Sequence, residues 1–164
     1  QPGVKPLSQA IHEGHAEHQP EMDCYSCHPG TQTQCLRGAM FIAGETCVDC
    51  HGTLYEVGHS VEQGRRPWLD EPRCEDCHEE HGEDAGTLYR LSTGHGGMYC
   101  AACHNSPHAI LPTVMERDGL QAKRLQGEAT YLTDCMICHT VKPQAPGPHG
   151  LIVQADLNET WLLH

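Results

Sequence analysis

The sequence predicts one domain that is mostly irregular, with a few short helices, little or no sheet, and an interior not filled by ordinary side chains. Three observations predict it. Seventeen Gly and eleven Pro interrupt the chain too often for long elements. Aromatic residues make up 5% of the chain and include a single Phe, a poor inventory for a packed core. Eleven Cys and fourteen His far exceed ordinary usage, so cysteine and histidine chemistry must supply what packing does not.

The 164 residues suffice for one domain, 1–164, and no linker or composition shift divides them. The formal charge is −12 with histidines neutral. Nucleic acid requires a basic face, and anionic lipid likewise attracts basic segments, so neither is an expected partner. No apolar run approaches the ~20 residues of a membrane span. The chain opens on Gln1 rather than Met and shows no charged leader followed by an apolar stretch, so it reads as a mature exported product.

Five units recur along the chain: Cys24-Tyr-Ser-Cys27-His28, Cys47-Val-Asp-Cys50-His51, Cys74-Glu-Asp-Cys77-His78, Cys100-Ala-Ala-Cys103-His104 and Cys135-Met-Ile-Cys138-His139. One helical turn in each would put both sulfurs and the imidazole on one face. Zinc sites use two such pairs, or one pair with spaced histidines, and five pairs do not divide that way. Disulfide scaffolding leaves the histidine after every pair unexplained. A thioredoxin-like redox pair occurs once, not five times. Cys-x-x-Cys-His is the attachment unit of c-type haem: the thiols bond to the vinyl groups and the next imidazole becomes the proximal iron ligand. Five covalent haems, with a thin sleeve of chain around them, account for the missing core. Their propionates need cationic partners, and Arg37, Arg65, Arg66, Arg73 and Arg90 are candidates.

Between the units the sequence predicts a helix near 115–127 broken at Gly119, and an edge strand in the apolar tail 151–164. That tail, ending in Trp161-Leu162-Leu163-His164, is a candidate self-association segment.

With these units across 24–139, the chain resembles the multihaem c-type cytochromes of bacteria and archaea. HAEH before the first unit, CYSCHPGTQTQCLRGAM, and GHGG…CAACHNSPHA…CHT…GPHG are similar to exported cytochromes of extracellular electron transfer, some of which polymerise into haem filaments. The resemblance implies electron transfer without catalysis. The expected partners are other cytochromes, an extracellular acceptor or further copies of the chain, at the cell surface or outside it. A soluble periplasmic pentahaem shuttle is the alternative, and a multihaem nitrite- or hydroxylamine-type oxidoreductase, needing one open iron, is the third reading.

His28, His51, His78, His104 and His139 are the proximal histidines, which leaves nine others for five distal positions. The two axial ligands of one iron lie on opposite faces of a flat ring. A chain held at His104 cannot pass around the ring edge in Asn-Ser-Pro, so His108, if it ligates, serves a different haem. His15 and His18 form an H-x-x-H before the first unit, one for its haem and one for a neighbour, as multihaem cytochromes often carry. His95 in GHGG and His149 in GPHG sit where glycine permits close approach of backbone to a ring. The expected distal set is therefore His15, His18, His95, His108 and His149. His12 is a weaker candidate and His59 evenly balanced. His81 reads as a surface residue, Met40 as an apolar filler rather than a thioether ligand, and Cys35 as a small buried side chain. Asn158 lies in a short glycosylation-like sequence, a common chance pattern.

Overall fold

The structure is a computed structural model that describes residues 3–29, 34–78, 86–144 and 147–150. His81, His164, Asn158 and the whole 151–164 tail, with its expected strand and its self-association role, lie outside the described residues.

Among the described residues, six short α-helices are interspersed with short 3-10 turns. They are α1 (Leu7–His18), α2 (Ala39–Ala43), α3 (Cys47–His51), α4 (Leu54–Glu62), α5 (Cys100–His104) and α6 (Leu120–Gln126). Sheet is limited, among the described residues, to an isolated bridge between Thr93 and Tyr99. The predicted long helix near 115–127 appears as a 3-10 turn, Glu116–Gly119, followed by α6. Gly119 is the joint, since a side chain there would meet Ala129 Cβ at 2.6 Å. Gly127, at φ 89°, ends α6 in the left-handed conformation.

α1 packs along α4, and Gly58 makes this possible. A Cβ at Gly58 would stand 2.9 Å from the backbone nitrogen of Glu13, so only glycine lets the helices approach. Thr53 and Glu56 close the start of α4 with a reciprocal cap that satisfies two otherwise unpaired N–H groups.

Among the described residues the buried apolar side chains number few: Leu36, Val61, Tyr89, Ala109, Leu111 and Ala122. Trp68 is 88% exposed, Val141 77% and Leu7 76%. Such a chain is held by anchors rather than by a core, as its composition implies.

One anchor is the segment Cys35-Leu-Arg-Gly-Ala-Met40. It lies along 108–114 with Arg37 N–H donating to His108 O at 2.8 Å and Ala39 N–H to Ile110 O at 2.8 Å. Val114 N–H returns a bond to Arg37 O at 2.9 Å. A Cβ on Gly38 would fall 2.5 Å from the Ile110 backbone. The Arg37 guanidinium forks onto Asp118, with Nε–Oδ2 at 2.6 Å and Nη2–Oδ1 at 3.1 Å, in a largely buried setting.

Candidate haem-binding site

Each of the five units folds into one tight turn, as expected from its spacing. α3 and α5 are full α-helical turns over Cys47–His51 and Cys100–His104. The other three begin as 3-10 turns, yet close in the same sense: His28 N–H bonds to Cys24 O at 2.9 Å, His78 to Cys74 at 2.7 Å and His139 to Cys135 at 2.9 Å. Short polar residues set these turns. Asp23 accepts from Tyr25 N–H and Asp134 from Met136 N–H, while Thr46 and Asp49 form a capping box on α3. All eleven cysteines are free thiols, so both sulfurs of every unit are available for thioether bonds. Among the described residues, no three Cys, His, Asp or Glu side chains converge as an ion would require.

Among the described residues, four of the five proximal histidines face one further histidine each. His28 faces His12 at 6.2 Å between ring centres, His51 faces His108 at 6.0 Å, His139 faces His95 at 5.9 Å and His104 faces His149 at 5.8 Å. Two imidazoles bound to one metal, with metal–nitrogen bonds of ~2 Å each, place their ring centres ~6 Å apart. An ordinary aromatic pair can have similar spacing. It would not choose, four times, one motif histidine and one histidine from outside the motifs. The residues therefore fit a c-type haem, which each of these pairs would hold between its two imidazoles.

Neutral imidazole is the ligating form, and the surroundings favour it. Desolvation by the surrounding chain holds His51, His104 and His108 below the ordinary histidine range, with His108 adding to the effect on His51 and His149 to that on His104. The α1 rings are oriented from behind. His12 Nδ1 donates to Ser8 O and His15 Nδ1 to Ile11 O, both at 2.7 Å, which leaves each Nε2 free for a metal.

His95, His108 and His149, expected as distal ligands, each face a proximal histidine, and so does His12, a weaker candidate in sequence than His15 and His18. His15 and His18 face no ring among the described residues. Three histidines spaced three apart on α1 allow two H-x-x-H registers, 12/15 and 15/18. Spacing alone cannot choose between the registers, whereas the carbonyl bonds to Ser8 and Ile11 support the rings of His12 and His15. His59 stacks on Tyr55 at 5.4 Å and pairs with Glu62 at 3.0 Å. Met40 is half-buried in α2. Cys35 is also only half-buried, and its Sγ lies 3.6 Å from His108 Nδ1, a contact its sequence setting did not predict. Four candidate propionate partners already have carboxylates: Arg37 with Asp118, Arg66 with Asp70, Arg73 with Glu75 and Arg90 with Glu71. Arg65 bonds to the Ser60 hydroxyl at 2.8 Å.

The units are neighbours in space. Burial raises the thiols of Cys24, Cys50 and Cys103, and in each the next cause is a thiol of another unit: Cys47 beside Cys24, Cys77 beside Cys50, Cys138 beside Cys103. His108 ties the fourth unit to the second. Asn105, at φ 72°, turns the chain after His104, and a 3-10 turn over Pro107–Ala109 aims His108 away toward His51.

The family model for cytochrome c3 matches residues 15–105, more than half of the chain and four of the five units. No curated protein and no solved structure matches. The chain belongs to the cytochrome c3 family. It is a multihaem c-type cytochrome and an electron-transfer protein.

Proposed function

We propose that this cytochrome c3 family member carries electrons through five covalent haems, each held between two histidines, and does no substrate chemistry. The observation that carries the proposal is the set of four histidine pairs at 5.8–6.2 Å. Haem bound there supplies a one-electron couple, and two protein ligands leave no open iron position. The chain's part is to hold paired imidazoles neutral, space the units closely and exclude the ligand exchange that catalysis would need. The proposed ligand sets are His28 with His12, His51 with His108, His104 with His149, and His139 with His95. For the unit at Cys74 and Cys77 we assign His15 opposite His78, since His15 has its Nδ1 satisfied like His12 and faces no other ring among the described residues. His18 is then surplus. The thiol neighbours Cys24–Cys47, Cys50–Cys77 and Cys103–Cys138, with the His51–His108 pair, support an order 1–2–4–5 in which the third unit branches from the second.

Intact mass should exceed the chain by five haems, and the reduced protein should not bind CO. A mass four haems heavy, or a CO-sensitive fraction, would count against the proposal.

For the physiological setting, we favour an exported subunit of a head-to-tail cytochrome filament handing electrons to other cytochromes or an extracellular acceptor. The surplus histidines and the apolar stretch Trp161-Leu162-Leu163 support this reading. Such a contact is heterologous and propagates without closing. Deleting 151–164 should leave a haem-loaded protein that no longer assembles. If the full-length protein sediments only as a monomer, the periplasmic shuttle takes its place.

A further inference from the structure

Cys35 is the one cysteine outside the five units, and its thiol touches the ring of His108. The contact is built rather than incidental. Arg37 N–H to His108 O, Ala39 N–H to Ile110 O and the Arg37–Asp118 fork all fix the strip of chain that carries Cys35 against the strip that carries His108. Arg37 Nη1 also donates to Cys35 O at 3.3 Å.

If His108 binds iron through Nε2, its proton resides on Nδ1, and that N–H is the donor to the sulfur. His12 and His15 make the equivalent donation to backbone carbonyls at 2.7 Å. Sulfur is the weaker acceptor and stands farther off, at 3.6 Å. A strong acceptor behind an axial histidine raises the basicity of the ligating nitrogen and so favours oxidised iron. A weak acceptor withholds that effect.

We propose that Cys35 is a positioning residue that sets the potential of the haem at Cys47 and Cys50, holding it above the value a carbonyl acceptor would impose by offering His108 only a thiol. This rests on the reading of His108 as an axial ligand. The haem so tuned belongs to the unit that neighbours the first, third and fourth units, where a raised potential gathers electrons arriving from several sides.

The test is spectroelectrochemistry on the full-length holoprotein. Cys35→Ala removes the acceptor and should raise one midpoint. Cys35→Asn offers a neutral carbonyl and should lower the same midpoint, with the other four unmoved and all haems low-spin. A role in filling space would move both variants the same way. In a His108→Met background, which has no N–H to donate, the difference between the two variants should collapse. Midpoints equal in the Ala and Asn variants, shifts of one sign, or a difference that survives in the His108→Met background would overturn the proposal. If the Asn variant fails to mature, Cys35→Ser takes its place and must differ from Ala in the same direction. His108→Met alone keeps the two failures apart. If it leaves every haem spectrum unchanged, the ligand reading falls and the Cys35 proposal with it; if it changes one haem while the Cys35 variants change none, only the proposal falls.

Discussion

His108 faces the ring of His51 at 6.0 Å although it follows His104 by only four residues, so one short loop serves two attachment units. Asn105 reverses the chain and Pro107 fixes its own φ, which makes the loop a rigid spacer between the fourth unit and the second. Replacing His108 with Met should change the spectrum of a single haem, the one on Cys47 and Cys50, and leave the His104 haem intact. Magnetic resonance of the oxidised protein distinguishes these outcomes, since loss of two low-spin signals would mean that the loop does not separate the sites.

Gly38 has no room for a side chain. Gly38→Ala would drive a Cβ to 2.5 Å from the Ile110 backbone and push 108–110 away from its support. Overpacking of this kind costs about 1–3 kcal/mol. The thermal midpoint should fall, and part of one haem should become able to bind CO as His108 drifts off its iron.

The Arg37–Asp118 pair supports the same strip. The Arg37 guanidinium, bonded to Asp118, holds that carboxyl below the usual range. A depressed carboxylate stabilises the fold fully above its unfolded value, ~3.9, and the contribution is lost as pH falls through the lower folded value. Asp118→Asn should destabilise by about 2 kcal/mol near neutrality, and the difference from the parent should shrink in strong acid. A parent and variant that melt apart by the same margin at every pH would contradict this.

The proposed ligand sets give the α1 histidines different roles. His12→Ala and His15→Ala should each leave one haem open to CO, on different attachment units. His18→Ala should leave all haems CO-inert in the isolated chain. Photolysis spectra of the CO adducts test this directly.

Much of the site was legible because its chemistry is local. The five turns at Cys24, Cys47, Cys74, Cys100 and Cys135 follow from ligand spacing, and the low helix content follows from Gly, Pro and a missing core. The pairing of His95, His108 and His149 with proximal rings was legible as well, since each lies in a short glycine- or proline-bearing stretch. The pairing of His12 with His28 was not. Choosing among His12, His15 and His18 requires knowing how α1 lies on α4, and Gly58 and Glu13 fix that crossing by a contact across 45 residues of sequence. Cys35 was misread as buried for the same reason, because its partner His108 lies 73 residues away.

The central claim is that the histidine pairs are the axial ligand sets. Anomalous scattering at the iron edge from crystals of the holoprotein locates every iron independently of the chain trace. The account predicts five irons, four of them midway between His12 and His28, His51 and His108, His95 and His139, and His104 and His149. An iron bound by both His104 and His108, or no iron between His51 and His108, would contradict it.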